Sequence, residues 1–237
     1  MNGFTLLDQL FAPGDPQNRL YGVMIGIVTD NKDPEDLGRV KVKFPWLTDQ
    51  EASNWARVAA SMAGKQRGLY FLPEVDDEVL VAFEHGDVRF PYILGGLWNG
   101  KDAPPVKNGD GKNNLRVIKS RSGHTITLDD TDGSEKISIA DKTGKNEIVI
   151  DSKENSLTLR VEGDFAVEAK GNIILKCTGK LTLEAGQDAS LAGAELKMEA
   201  KGKAGLKGTQ LALEGSAKTE VKSAGIVQVQ GGLVKIN

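Results

Sequence analysis

Residues able to carry chemistry are few in this chain, and they are scattered. Two histidines stand at His85, in EHGD, and His124, in RSGHTITL, and the single cysteine is Cys177. A hydrolytic site would pair one of these histidines with a Ser or Cys on a tight elbow, or place two on an HExxH helix; the sequence has neither pattern. Both histidines therefore read as surface residues with local hydrogen bonds. The run LDDTDGSE, 128–135, is denser in carboxylates. Paired carboxylates flanking a sugar can cleave a glycosidic bond, and clustered oxygens can hold calcium weakly. A solvated turn between two strands accounts for the same residues, since Asp, Thr and Gly all suit turns. A lone cysteine excludes an intrachain disulfide framework and a cysteine-rich zinc site. The expectation is no catalytic residue, no cofactor and no metal.

Composition then says what kind of scaffold carries these residues. The chain has 237 residues, a net charge of −3 and 39% apolar residues, which suits one or two folded domains. Its apolar runs stay well short of the roughly 20 residues that span a bilayer. The opening MNGFTLLDQLFAPGD has no basic stretch and no small-residue cleavage site, so no secretory signal is expected. Of the 13 aromatic residues, 12 precede residue 99, with Phe165 the exception, and all eight prolines lie at or before Pro105. The rest is rich in Gly, Ala, Lys and Glu. Aromatics supply the volume of a globular core, whereas a proline-free alternating tract suits continuous β ladders. Two architectures are expected, joined by a polar linker over 101–115.

The second architecture carries a repeat. In GNIILKCTGKLTLEAG, 171–186, the pair Ile173/Leu175 returns eight residues later as Leu181/Leu183. The same rhythm includes Leu157/Leu159, Phe165/Val167, Ala189/Leu191 and, after a one-residue slip, Leu196/Met198, Leu211/Leu213, Val227/Val229 and Val234/Ile236. Less even pairs stand upstream at Ile126/Leu128, Ile137/Ile139 and Ile148/Ile150. An i, i+2 pair marks a strand with one buried face. Two residues beyond the pairs sit small side chains such as Ala169, Cys177 and Ala185, pointing into a narrow interior. Eight residues at about 3.3 Å each make a perimeter of roughly 26 Å, too small for one chain to coil around its own side chains. Three chains supplying eight residues each give a feasible layer. The octad is then one third of a turn, and the needle core is expected from Phe165, Val167, Ile173, Leu175, Cys177, Leu181, Leu183, Leu211 and Leu213 of three copies.

The first architecture reads as five short strands, at 21–29, 39–46, 55–60, 78–84 and 91–97, separated by Gly- and Pro-bearing loops. That fits a small Greek-key barrel of the OB type. Barrels of this kind often bind single-stranded nucleic acid through a basic groove. Residues 1–105 carry ten Lys/Arg against fifteen Asp/Glu, the wrong sign, so no nucleic-acid partner is expected. Trp46, Trp55 and Phe71 read as core or trimer-interface residues.

Three long stretches in this region, GIVTDNKDPEDLGRVKVKFPWL (26–47), NWARVAASMAGKQRGLYFLPEVDDEVLVAFEHGD (54–87) and PYILGGLWN (91–99), resemble the OB-fold domain of the VgrG and phage baseplate V spike family. One departure is Asp76, where the family pattern usually has Gly; Asp also tolerates turn geometry. The octad tract is similar to the needle that follows this barrel in the family. The fold class expected is therefore all-β: an N-terminal arm (1–18), an OB-fold barrel (19–100), a linker (101–115) and an intertwined trimeric β-helix (116–237). The resemblance implies a non-enzymatic homotrimeric spike at the baseplate of a phage tail, type VI secretion system or extracellular injection particle. It implies assembly in the cytoplasm and a transient encounter with the target cell membrane. About 18 residues precede the barrel, so a separate hub protein is expected, docked through an amphipathic arm of Phe4, Leu6, Leu7, Leu10 and Phe11. A PAAR-like tip protein is expected on Leu233, Val234 and Ile236. The alternative from another class is a trimeric tail fibre or adhesin that binds or cleaves surface polysaccharide.

Overall fold

The computed structural model describes residues 19–47 and 52–236. It divides the chain into two units, Met1–Glu168 and Ala169–Asn237. The first unit begins with β1 (Val23–Asp30), β2 (Lys41–Lys43) and β3 (Arg57–Val58), passes through a small hairpin of β4 (Ala63–Gly64) and β5 (Arg67–Gly68), and continues with β6 (Glu78–Phe83) and β7 (Pro91–Gly96). The main sheet has the order β2-β1-β6-β7-β3, antiparallel throughout except where β3 lies parallel to β7. Backbone bonds between Val40 and Ala56, at 3.0 and 2.7 Å, join the ends of that order, so the sheet closes on itself. A five-stranded closed barrel with one parallel pair is the OB topology expected from the sequence.

Alternation builds its core. In EVLVAF every second side chain of β6 is buried, and Val79, Val81 and Phe83 meet Val28, Val40, Val42, Phe44 and Ile93 inside. Gly26 allows the strands to approach, because a Cβ there would stand 3.0 Å from a Val81 methyl and 3.2 Å from the Val42 Cβ. The β4–β5 hairpin is absent from the sequence expectation, which read this region only as loop.

A second sheet follows in the same unit. It is made of β8 (Leu115–Lys119), β9 (Thr125–Asp129), β10 (Lys136–Ala140), β11 (Glu147–Asp151) and β12 (Ser156–Arg160), each paired antiparallel with the next. This corrects the expectation of a single intertwined element over 116–237: residues 115–160 pair within one chain. Turn chemistry is the reason. Gly133 and Gly144 take φ values of +69° and +68°, and Asn155 takes +49°, the left-handed backbone that tight reversals need.

Beyond β12 the pattern changes. From 163 to 236 the chain is extended and interrupted by bends at 170–171, 178–179, 186–187, 194, 201–202 and so on to 224–225 and 232. Straight runs of five or six residues separate the bends. Among the described residues, no backbone–backbone hydrogen bond joins any two of this tract.

Candidate assembly surface

The five-stranded sheet presents two ladders of aliphatic side chains on one face. In the first, Ile118 opposes Ile126, which opposes Ile139, then Ile148, then Leu159. The second runs Leu128, Ile137, Ile150 and Leu157, with Arg116 at its end. All nine are exposed, up to 70% for Leu157. Together with Val161 the first ladder floors an open apolar trough of about 540 Å³. The opposite face carries Thr, Ser, Lys, Arg, Asp and Glu, with Leu115, Val117, Ala140 and Val149 among them. Exposed apolar ladders of this size mark a candidate interaction surface.

The octad tract repeats the situation on a longer scale. Phe165, Val167, Ile173, Leu175, Leu181, Leu183, Leu211 and Leu213 are all exposed, Leu183 at 78%. Cys177 is exposed too, its thiol donating to the Gly179 carbonyl at 3.5 Å. Phe165 to Leu183 keep the parity of Leu157, Leu159 and Val161, because an eight-residue step never changes the face, and Leu211 and Leu213 return to it after two seven-residue steps. Charged neighbours take the other face: Lys197 pairs with Glu199 at 3.3 Å, and Glu220 is held between Lys218 and Lys222. Leu233, Val234 and Ile236 are exposed. The arm residues Phe4, Leu6, Leu7, Leu10 and Phe11 lie outside the described residues.

The chemistry-bearing residues are occupied with local structure. His124 Nδ1 accepts the Lys142 backbone N–H at 3.2 Å, which ties the β8–β9 turn to the β10–β11 turn and leaves the ring proton on Nε2. His85 sits in a short 3-10 turn at φ +51°, and its carbonyl accepts from Arg19 Nη1 at 2.7 Å. In the acidic run, Asp129 accepts from the Thr131 backbone and hydroxyl at 3.0 and 2.6 Å, and Asp130 pairs with Arg116 at 2.6 Å. The Thr131 hydroxyl, followed by its N–H, holds Asp129 below the usual carboxylate range. Asp141 forms the equivalent corner in DKTGKN: the Thr143 hydroxyl and the Asn146 amide, with their backbone N–H groups, hold its carboxyl far below that range. Among the described residues, no group of three or more His, Cys, Asp or Glu is placed to hold a metal ion.

Sequence reasoning missed one strong polar centre. Asp33 is 8% exposed and accepts from Arg39 Nη2 and Nε at 2.7 and 2.9 Å and from the N–H groups of Glu35, Leu37 and Arg39. Arg39, against the cost of burial and with help from those N–H groups, keeps the carboxyl well below its ordinary value. The spacing D-P-E-D-L-G-R was visible as a turn, and a buried pair inside it was not. Of the three aromatics, Trp46 and Phe71 are exposed and Trp55 is half-buried beneath the Lys41 ammonium, 5.1 Å from its ring.

Comparison with known proteins bears on the barrel most directly. A family model described as the type VI secretion system/phage-baseplate injector OB domain matches residues 24–98. Over residues 24–98 the chain is therefore similar to that injector OB domain. The VgrG likeness extends past the barrel. The chain is 28% identical over 169 residues to the actin cross-linking toxin VgrG1 of Vibrio cholerae, 68% of this chain and 15% of that protein. It is 32% identical over 128 residues to the V. cholerae type VI secretion system spike protein VgrG3, 49% of this chain and 13% of that one. It is 28% identical over 171 residues to the spike protein VgrG1a of Pseudomonas aeruginosa, 67% of this chain and 26% of the relative. The chain thus spans about a quarter or less of these VgrG proteins. No helix among the described residues is long and apolar enough to cross a membrane.

Proposed function

We propose that this chain is a structural, non-enzymatic spike of a contractile injection machine and works as a homotrimer. One observation carries the reading. From 163 to 236 the chain is extended, bends every seven or eight residues and, among the described residues, makes no backbone–backbone hydrogen bond. Backbone N–H and C=O groups in an ordered β element are almost always paired. A straight run of five or six residues between bends is the width of one face of a triangular prism, and two further copies supply the other faces. The exposed pairs then point into a common interior and the Lys/Glu face stays in water. Likeness to proteins named type VI spike proteins supports the placement at a baseplate.

The mechanism in this reading is mechanical. A closed triangular rod has no long open edges and resists bending, so it concentrates force on a small area of the target envelope. Phe4, Leu6, Leu7, Leu10 and Phe11 dock on a hub protein, and Leu233, Val234 and Ile236 receive a PAAR-like tip. Light scattering of the full chain under native conditions tests the core of the proposal. The expected mass is three times the chain's 25.4 kDa. A monomer at micromolar concentration overturns it.

A further inference from the structure

We infer that Asn108 is a self-modifying site: without an enzyme it converts to aspartate and isoaspartate, and the isoaspartate releases the turn at 108–113. Asn-Gly occurs at 2–3, 99–100 and 108–109, and the last two pairs lie among the described residues. The chemistry needs nothing beyond the chain and water. The glycine backbone nitrogen attacks the asparagine side-chain carbon Cγ and forms a new C–N bond. The Cγ–Nδ2 bond breaks, and the amide leaves as ammonia with the proton of the attacking nitrogen. The product is a five-membered succinimide. Water then adds to one of its two carbonyls and opens the ring. One opening restores the normal main chain as aspartate; the other runs the main chain through Cβ and Cγ as isoaspartate. Ring closure demands an unhindered nitrogen and a side chain free to turn onto it, since intramolecular steps depend steeply on geometry.

Asn108 meets both conditions and Asn99 fails one, so each pair is a control for the other. The nitrogens are alike. A Cβ on Gly100 or Gly109 would meet nothing within 4 Å, and neither glycine N–H makes a hydrogen bond among the described residues. The side chains differ. Asn99 is half-buried, and its Oδ1 accepts the Lys101 and Asp102 N–H groups at 2.8 and 2.7 Å. Its Nδ2, the leaving group, donates to Glu78 Oε2 at 3.0 Å. Asn108 is exposed, and its Oδ1 accepts only the Asn113 N–H, at 2.8 Å. Its Nδ2 has no partner among the described residues. The two additional bonds to break slow Asn99 relative to Asn108 by roughly tenfold or more. A turn follows Asn108, whose backbone carbonyl accepts the Gly111 N–H at 3.2 Å. Isoaspartate lengthens the main chain here by one carbon and exchanges the places of the backbone and side-chain carbonyls. Both acceptors of the turn are displaced.

Ageing the full chain in warm, mildly alkaline buffer made with oxygen-18 water, followed by peptide mapping, tests the site. The label marks conversion in the folded chain and excludes conversion during digestion. Asn108 is expected to gain label roughly tenfold or more faster than Asn99, with isoaspartate the larger product. In urea, which releases both side chains, the two rates are expected to converge. Gly109→Ala, whose methyl crowds the attacking nitrogen, is expected to slow conversion at 108 by roughly tenfold. Hydrogen exchange reads the turn. The Gly111 and Asn113 amides are expected to lose protection as isoaspartate accumulates, whereas a fresh Asn108→Asp chain, with the normal main chain, keeps them. An unlabelled Asn108, equal rates at the two sites in the folded chain, or unchanged exchange at Gly111 and Asn113 after conversion would overturn the inference.

Discussion

Asp33 shows how one buried carboxylate can set the acid limit of a barrel. Its carboxyl is held below its ordinary value by Arg39 first and by three backbone N–H groups in support. In the unfolded chain it titrates near pH 4. Its contribution is therefore complete above about pH 4 and is lost as pH falls toward the lower folded value, because the unfolded state takes up the proton first. Asp87, Asp129 and Asp141 shift in the same direction and share the slope. Asp33→Asn is expected to lower the urea midpoint of the barrel at pH 7 and to shrink the further drop between pH 4 and pH 2; an unchanged pH profile would contradict the assignment. Cys177 tests the narrow interior position from the other side. If three copies meet there, Cys177→Ala is nearly silent, whereas Cys177→Leu overpacks one layer by about 1–3 kcal/mol per site. Equal melting temperatures for the Leu variant and the parent would remove Cys177 from the interior. Parity made Cys177 legible in the sequence. Asp33 was not, because a pattern of turn residues does not say which of them faces inward.

Elements differ in how far their sequence announces them. Strands β1, β6 and β7 were readable to within about two residues, and β2 only as part of a longer run at 39–46, since alternation and bounding Gly or Pro fix the type better than the limits. The pairs Ile126/Leu128, Ile137/Ile139 and Ile148/Ile150 were readable as strands, but their partners were not: a spacing of eleven residues does not by itself say whether a strand pairs within its own chain or with another copy. In fact each interval holds a five-residue strand and a six-residue reversal, enough for the chain to turn back on itself. The signals were the corners Thr131–Gly133 and Asp141–Asn146. The barrel's β4–β5 hairpin gave no such signal, with two-residue strands and little alternation. Gly144, at φ +68°, measures how much a corner matters. Gly144→Val forces a β-branched residue into left-handed backbone at about 1–2 kcal/mol. Hydrogen exchange should show the opening free energy of β10 and β11 amides falling by that amount. Gly109→Val, in open space without a positive φ, should change it by less than about 0.5 kcal/mol. Similar losses for both would mean that the corner does not hold the sheet.

At the scale of the whole molecule, the proposed trimer is a stack of layers, and stacking makes deletions informative. Each octad adds one strand to one face of each chain's path, so three chains together add one layer of about 4.8 Å. Removing residues 179–186 takes out one bend and one straight run. Downstream residues keep their parity, and all three chains rotate equally by one face, so every interior pair finds equivalent neighbours. That deletion is expected to give a soluble trimer, shorter by about 5 Å, with protease resistance retained to the end of the tract. Removing residues 179–183 takes out five residues, an odd number. Every later pair, from Ala189/Leu191 to Leu211/Leu213, then turns outward while Lys and Glu turn in. The chain does contain natural one-residue slips, between Leu191 and Leu196, between Leu206 and Leu211 and between Val229 and Val234, but each spans a bend, at 194, 209–210 and 232, with a glycine at or beside it. A cut inside a straight run has no such relief. Limited proteolysis should digest the shorter deletion from residue 179 onward while the barrel and the five-stranded sheet survive. If the five-residue deletion resists digestion as well as the eight-residue one, the octad is not the unit of winding and the triangular rod falls with it.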